Sequence, residues 1–503
     1  MRALVLLLAL VSASTAAETI VLEGGRQRIE IGLQGGLPQE WLSCAAGCPA
    51  ALPVGHSPAH QHLLRAGPGG GTLRLVVPGD AAATAAINAL EYDAVVREEA
   101  GRVTVVLTAK ATNGAVPLVQ RYQLDREART LAMTLQLPPR AGLRLTAGRD
   151  LVPEELPGFG GLYSNARAVV VADDGQETVA DAGEEATSAR ELPAGDWAGV
   201  RGRFWSLLLR ADRALLFDAA EQSPEAPELT LRPADGSGGT FALTLYGGPV
   251  AAGELTQAAP ELEGMLYAML WTPLRWLSFG LQWILDRWQD LVGHAGLAIL
   301  LLSLTVKLLM APLIMIAERW QADVNRIRSL LEPELAAIRR EFRGEEAHNR
   351  TLAVYRRHGV SHFYTFRSLA GFMIQIPVFI AAFDMLGENF RISGEAFLWI
   401  ADLAAPDRFL AWPMVLPFFG GHLNLLPLVM TLFTVLAARW QEEASLAPAL
   451  RQGQRLRLYA MAGLFLLLLY TFPAGMVLYW TANNFWHLLR VAWDRRSFLR
   501  VTR

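Results

Sequence analysis

The chain has 503 residues, of which 52% are hydrophobic and 18% charged, and its formal net charge at pH 7 is −3. This composition is too apolar for a purely soluble protein and too mixed for a purely membrane-embedded one, and the charge balance argues against a nucleic-acid partner. The hydrophobicity is also unevenly distributed. Residues 18 to about 260 have a soluble pattern, whereas residues 265–495 contain nearly all of the long apolar runs.

Residues 1–17 form a targeting segment. Arg2 precedes an apolar run, and small residues follow that run. This order is typical of a secretory signal peptide that is cleaved near Ala16 or Ala17, and an uncleaved N-terminal anchor is the alternative. Either alternative exports the segment that follows.

Residues 18–260 are predicted to form an all-β domain. Apolar and polar residues alternate there, as they do in half-buried strands, and Gly, Pro, Asp and Asn separate the runs. The clearest predicted strands are residues 72–77, 102–108, 118–124, 130–137, 203–211 and 240–247. Many strands without a convincing helix indicate a large β-sandwich.

Cys44 and Cys48 are the only cysteines of the chain. In an exported domain they would lie in an oxidising compartment, so we predict a local disulfide, with a pair of free thiols as the alternative. Two ligands are too few for a structural zinc ion, and no metal site is predicted.

The second half of the chain is predicted to be a helical membrane domain. Residues 265–290 combine four tryptophans with charged residues in an amphipathic pattern, which favours a helix lying in the membrane interface over a poorly formed span. Five transmembrane spans follow, at about residues 293–317, 368–386, 423–439, 457–472 and 475–493.

The arginines predict how these spans are oriented. Residues 318–367 contain ten arginines, whereas residues 387–422 contain two. Because cytoplasmic loops are enriched in positive charge, the first segment is placed in the cytoplasm and the β-domain outside. Residues 318–358 also show a helical apolar stripe with a break at Gly344, which predicts a cytoplasmic helical hairpin.

Lys307 is one of only two lysines in the chain and lies within the first predicted span. Its distance from the cytoplasmic end of that span is about 15 Å, more than a lysine side chain can reach. Ser303 lies one helical turn away, and other spans supply further polar residues, namely Gln375, Thr481, Asn483 and Asn484. Together these residues predict a water-filled polar cavity. Each polar residue alone could instead form a hydrogen bond that holds two helices together.

Five motifs in the same order and spacing resemble the YidC-type membrane protein insertases, in the proteobacterial form with an exported β-supersandwich. The motifs are LYGGP at 245–249, GHAGLAILLLSLTVKLLMAPL at 293–313, LLEPELAAIR at 330–339, IQIPVFIAAFDML at 374–386 and FPAGMVLYWTANN at 472–484. The resemblance implies a multi-pass protein of the bacterial inner membrane with a periplasmic supersandwich, and an insertase core over residues 291–503. It implies an insertase and chaperone, neither an enzyme nor dependent on a cofactor. Its clients would be nascent membrane proteins in contact with lipid, and the Sec translocon and the ribosome remain open as partners.

The resemblance also assigns roles to residues of this chain. Lys307 occupies the position where the family usually carries the groove arginine, and further groove and hydrophobic-slide positions fall on Ser303, Gln375, Tyr479, Trp480, Asn483 and Asn484. The chain departs from the family at residues 359–372, where an Asn-Pro-rich segment with a Gly-Cys pair is usual. Whether the chain is a housekeeping insertase or a specialised paralogue therefore stays open.

Two other functions remain as alternatives. A transporter could use Lys307 to handle an anion or protons, and an inverted repeat would favour it, but none is visible among the five spans. A membrane-anchored sandwich enzyme acting on glycans would need a pair of acidic residues outside the membrane.

Overall fold

The computed structural model describes thirteen segments of the chain, and the predicted targeting segment, residues 1–17, lies outside them. The described residues are 19–44, 47–48, 60–64, 73–99, 101–110, 117–146, 151, 156–163, 166–179, 190–221, 227–361, 370–441 and 448–501. The chain divides into two compact units, Met1–Pro153 with Ala166–Met265, and Glu154–Asn165 with Leu266–Arg503.

The first unit is built from eighteen described strands, β1 to β18. They are Thr19–Glu23, Gln27–Gly32, Pro38–Cys44, His60–Leu64, Leu73–Val76, Tyr92–Glu99, Arg102–Ala109, Val119–Asp125, Thr130–Leu137, Gly142–Thr146, Arg167–Val171, Glu177–Val179, Arg190–Leu192, Trp197–Arg201, Trp205–Ala211, Leu215–Glu221, Pro227–Pro233 and Gly239–Pro249. Each of the six runs predicted from alternation overlaps one of these strands, and the all-β character of this region is confirmed.

The strands of the first unit form three sheets. A nine-stranded sheet has the order β12-β11-β14-β15-β18-β9-β8-β7-β6, a five-stranded sheet the order β13-β16-β17-β10-β5, and a four-stranded sheet the order β1-β2-β3-β4. Alternate residues of strands such as β7 and β9 are buried, which is why the period-two pattern identified them. The core includes the fully buried Trp41 and Trp197.

A disulfide joins Cys44, the last residue of β3, to Cys48, and their Cα atoms lie 5.3 Å apart. This distance falls in the usual range for a disulfide. The Cys44 side chain is fully buried. The bond therefore closes a short loop directly at the edge of the core.

The expectation that this unit lacks a helix was wrong in two places. Helix α1 spans Ala81–Asn88, and helix α2 spans Ala252–Ala258. The first is alanine-rich, and the Asp80 side chain accepts a hydrogen bond from the Ala83 amide at 2.9 Å. Strong helix propensity and an N-cap suffice for two turns, which are too short to produce a clear periodic pattern.

The second unit contains seven described α-helices and one hairpin of two strands. The helices α3 to α9 are Thr272–Val292, Ala295–Glu341, Gly344–Arg357, Ala370–Glu388, Leu425–Trp440, Pro448–Leu469 and Ala474–Val501. The strands β19 and β20, Leu410–Leu416 and Gly420–Leu423, pair antiparallel between α6 and α7. The helical character of the C-terminal region is confirmed, whereas the hairpin was not predicted.

Helix α3 corresponds to the predicted interfacial helix. It is ended by Gly293 in the left-handed conformation, with φ of 66°. Arg391 ties it to the segment after α6, because its guanidinium nitrogens lie 3.0 Å from an Asp286 carboxylate oxygen and 2.8 Å from one of Asp290. Two ion pairs on one face of α3 fix how that helix lies against the unit.

Helix α4 joins the first predicted span and the first helix of the predicted hairpin into one helix of 47 residues. It continues through Pro312 and Pro333, and the chain turns back at Gly344, which has φ of 63°. Among the described residues, α4 is the one helix that is both long and apolar enough to cross a membrane, and α7 is a shorter apolar helix.

Residues 154–165 belong to the helical unit, although the sequence analysis did not separate them from the β-domain. A 3-10 helix over Gly158–Tyr163 packs on the turn between α8 and α9. The Gly160 amide donates to the Thr471 hydroxyl oxygen at 3.0 Å. These contacts are distant in sequence, which is why no local pattern indicated them.

Asp407 fixes the start of α7. Its carboxylate accepts hydrogen bonds from the Leu426 amide at 2.5 Å and from the Trp399 indole at 3.3 Å. The Asp407 side chain is buried, and this burial raises the pKa of its carboxyl group.

Candidate functional site

Lys307 lies on α4 and reaches the backbone of α9. Its Nζ donates a hydrogen bond to the main-chain carbonyl oxygen of Asn483 at 3.0 Å. A carbonyl oxygen has two lone pairs, so Asn483 can accept from Lys307 and still close its own helical turn. No carboxylate in the described part of the chain pairs with Lys307. The cation is therefore half-buried between two helices and held by a main-chain dipole.

Two predicted groove residues contribute buried polar atoms. Ser303 is fully buried one turn before Lys307 on α4, and Asn484 follows Asn483 on α9. Within the described residues, neither the Ser303 hydroxyl nor the Asn484 amide nitrogen has a hydrogen-bond partner. Buried polar groups normally find a partner in protein, water or ligand. These two atoms are thus available to a molecule that enters the region.

The predicted slide residues lie on the buried side of α9. Tyr479 is 3% exposed. The Trp480 ring stacks on Phe465 of α8 at 5.2 Å and meets Phe379 of α6 edge-on at 4.6 Å. Trp480 thus joins three helices in one aromatic cluster, and the neighbouring Tyr479 side chain is enclosed by protein.

Among the described residues, no hydrogen bond links the remaining two predicted residues to Lys307. The Thr481 hydroxyl donates to the Val477 carbonyl oxygen of its own helix at 2.7 Å and is buried. Gln375 lies on α6 with an exposed side chain. Of the eight residues, the structure thus joins Lys307 directly to Asn483, with Ser303 one turn away on the same helix.

Three further polar residues, which were not predicted from the sequence, follow Lys307 on α4 and Asn483 on α9. On α9, His487 and Arg490 follow Asn483 by four and seven residues, and on α4, Glu318 follows Lys307 by eleven. These spacings keep residues on one helix face. Arg490 and Glu318 form an ion pair between the two helices. The spacing of these three residues is readable in the sequence, but their pairing across two helices is not.

The site carries no metal-binding constellation. No group of three or more His, Cys, Asp or Glu side chains able to hold a metal ion occurs among the described residues. What the arrangement offers is a partly buried cation, unpartnered polar atoms and an adjoining aromatic and aliphatic surface. On that aliphatic surface Leu308 and Leu309, directly after Lys307, are 66% and 64% exposed.

Residues 287–499 match the model of the family described as 60Kd inner membrane protein. Two relatives named membrane protein insertase YidC are similar to this chain. The protein of Anaeromyxobacter sp. is 28% identical over 419 residues, covering 78% of this chain and 69% of the relative. The protein of Thiobacillus denitrificans is 30% identical over 258 residues, covering 50% of this chain and 41% of the relative.

The match covers part of most relatives. Apart from the Anaeromyxobacter protein, the matched regions make up between 25% and 58% of the curated relatives' own lengths. Among solved structures, an active YidC insertase with its first transmembrane domain resolved covers 94% of this chain and is itself covered to 92%, with 16% identity and a TM-score of 0.36. That structural likeness is too low to carry an argument.

Proposed function

We propose that this chain is a YidC-type insertase, which inserts integral membrane proteins into the bacterial inner membrane and assists their folding. The observation that carries the proposal is a cation, Lys307, held between two helices of the family-matched region beside polar atoms without partners. The protein would break no bond and need no cofactor. A span of about 20 apolar residues prefers lipid to water, so partitioning of the client supplies the driving force.

The proposed topology has five spans, formed by the first part of α4 and by α6, α7, α8 and α9. Helices α6, α8 and α9 have 19, 22 and 28 residues. At 1.5 Å per residue they are about 28, 33 and 42 Å long, against a hydrocarbon core of about 30 Å. Helix α7 has 16 residues and is shorter than this thickness. Local thinning of the bilayer, together with tilting of the neighbouring helices, would accommodate it.

The arginine distribution gives this topology its direction. The ten arginines of residues 318–367 support a cytoplasmic location for the far end of α4 and all of α5, and the arginine-poor segment 387–422 would face the periplasm. Helix α3 would lie in the interface, because Trp271, Trp276 and Trp283 are 75%, 72% and 63% exposed.

In the proposed mechanism, a client enters between α4 and α9 from the cytoplasm. Its hydrophilic segment meets Lys307 and the unpartnered atoms of Ser303 and Asn484, which lowers the cost of removing that segment from water. Its apolar segment passes along the exposed leucines after Lys307 into lipid. Opening of the aromatic cluster around Trp480 would add a second apolar surface.

The partners proposed for the chain are nascent integral membrane proteins and lipid. We propose that the distal part of α4 and helix α5 form the surface that contacts the Sec translocon or the ribosome. These helix segments lie within residues 318–367, which carry ten arginines.

Reconstitution tests the proposal directly. The purified chain in lipid vesicles should protect the translocated end of a small single-span client from added protease, whereas vesicles without the chain should not. A matched preparation of the Lys307→Ala variant tests whether the protection depends on the lysine or only on the presence of protein in the vesicles. Equal protection with and without the chain would contradict the proposal.

A further inference from the structure

The ends of α4 and α9 are joined by a paired-fork ion pair. Arg490 donates from Nη1 to one Glu318 carboxylate oxygen at 2.8 Å and from Nη2 to the other at 2.6 Å. Both side chains are 47% exposed. The pair thus has the bidentate geometry that guanidinium groups adopt with carboxylates, in a place that solvent and other molecules can reach.

This pair lies on the same faces as the Lys307 contact. Glu318 follows Lys307 by three turns of α4, and Arg490 follows Asn483 by two turns of α9, with His487 between them. Both helices run in the same direction, because the earlier residue of each meets the earlier residue of the other. A client entering between these helices from the cytoplasm would pass Arg490 before it reaches Lys307.

We propose that Arg490 is a second carboxylate-binding group of the groove, which Glu318 occupies until an acidic segment of a client takes its place. This inference rests on the proposed insertase function and goes beyond it by naming a site and its ligand class, an acidic peptide segment. Glu318 engages both Nη1 and Nη2 of Arg490, so a client carboxylate that binds these two donors in the same bidentate way has to displace it. Exposed ion pairs contribute little stability, so the exchange is energetically accessible.

The rival explanation is a passive tie. In that case the ion pair only holds α4 against α9, and both residues serve insertion in the same way for every client. The two explanations differ in sign. If Glu318 competes with clients, removing it frees Arg490 and favours insertion of acidic clients. If the ion pair only holds the two helices together, removing either residue weakens the insertion of every client.

The experiment uses the full chain in cells depleted of their own YidC-type insertase. Two single-span clients are compared that differ only in the translocated tail, which carries several Asp and Glu residues in one and Asn and Gln in the other. The measured quantity is the ratio of inserted acidic-tail client to inserted neutral-tail client, scored by protease accessibility. The variants are Glu318→Gln, Arg490→Gln and Arg490→Lys.

The proposal expects Glu318→Gln to raise the ratio and Arg490→Gln to lower it, each by about two- to fivefold, the range open to a part-exposed ion pair. Arg490→Lys, which keeps the charge and loses the fork, should give an intermediate ratio and guards against an Arg490→Gln protein that fails to accumulate. Equal changes for both clients, or changes of the same sign in Glu318→Gln and Arg490→Gln, would overturn the inference. If the wild-type chain inserts neither client, the proposed function itself fails instead.

Discussion

Replacing Lys307 by methionine should remove insertion without removing stability. Methionine is an unbranched apolar side chain of similar reach. A lysine near the middle of a span costs about 2.5–3.5 kcal/mol on insertion scales. The hydrogen bond to the Asn483 carbonyl, as a bond to a charged group, offsets about 1.5–3 kcal/mol of that cost. The net effect of the substitution on stability therefore lies between a loss of about 0.5 and a gain of about 2 kcal/mol.

This range translates into a measurable shift in the midpoint of thermal unfolding. In a unit of this size about 1 kcal/mol corresponds to about 2–4 °C. Purified Lys307→Met in detergent should unfold between about 2 °C below and about 8 °C above the wild type, by the same conversion. Leu297→Met is the matched control, because Leu297 lies on the same helix, ten residues before Lys307, and is 43% exposed.

Insertion of a single-span client by the same preparations completes the test. Lys307→Met should lose most insertion, whereas Leu297→Met should keep it. The reasoning is refuted if Lys307→Met lowers the unfolding midpoint by much more than the range given. In that case the contact with Asn483 is a structural tie, and lost insertion reports damage to the helices rather than loss of a groove charge.

Three further predictions concern stability. Gly160→Ala should lower the unfolding midpoint of the helical unit, at a cost of about 1–3 kcal/mol, because its Cβ would lie 2.2 Å from the Thr471 carbonyl oxygen. Cys44→Ser with Cys48→Ser should destabilise the β-unit by about 2 kcal/mol on the loop-entropy account of so short a loop, measured by denaturant unfolding with and without reductant. Because burial raises the pKa of Asp407, its contribution to stability is largest below the unfolded pKa and is lost as pH rises through the folded pKa. The unfolding midpoint of wild type should therefore rise relative to Asp407→Asn as the pH falls from about 7 to about 4.

The sequence predicted those elements whose pattern is local. Alternation located the strands β7, β8 and β9, since each buries every second side chain. Long apolar runs likewise located helices α4 and α7. Helix α1 escaped because two turns contain too few residues to display a period.

Contacts between distant segments could not be predicted in this way. Residues 154–165 join the helical unit through contacts such as the bond from Gly160 to Thr471, more than three hundred residues away in sequence. In the hairpin of β19 and β20, strand β19 is largely exposed and β20 has only four residues, so neither shows the alternation that marks a strand. Both features depend on tertiary partners rather than on local propensity.

The candidate site shows the same division. Lys307 stands out in the sequence as a charge in an apolar run. Its partner could not be predicted, because that partner is the main-chain carbonyl of Asn483 rather than a side chain. Glu318 and Arg490 could have been predicted from helical spacing, because they lie on the same helix faces as Lys307 and Asn483. The placement of Gln375, Thr481, Tyr479 and Trp480 in a client-contacting groove remains a prediction.

The most direct test of the central claim is complementation in cells depleted of their own YidC-type insertase. The chain is expressed as wild type, Lys307→Arg and Lys307→Ala at matched levels, and insertion of a small single-span client is scored by protease accessibility. We expect wild type and Lys307→Arg to restore insertion and Lys307→Ala to fail. Failure of all three proteins, each stably present in the membrane, would contradict the assignment as an insertase, and equal insertion by all three would contradict the role of Lys307.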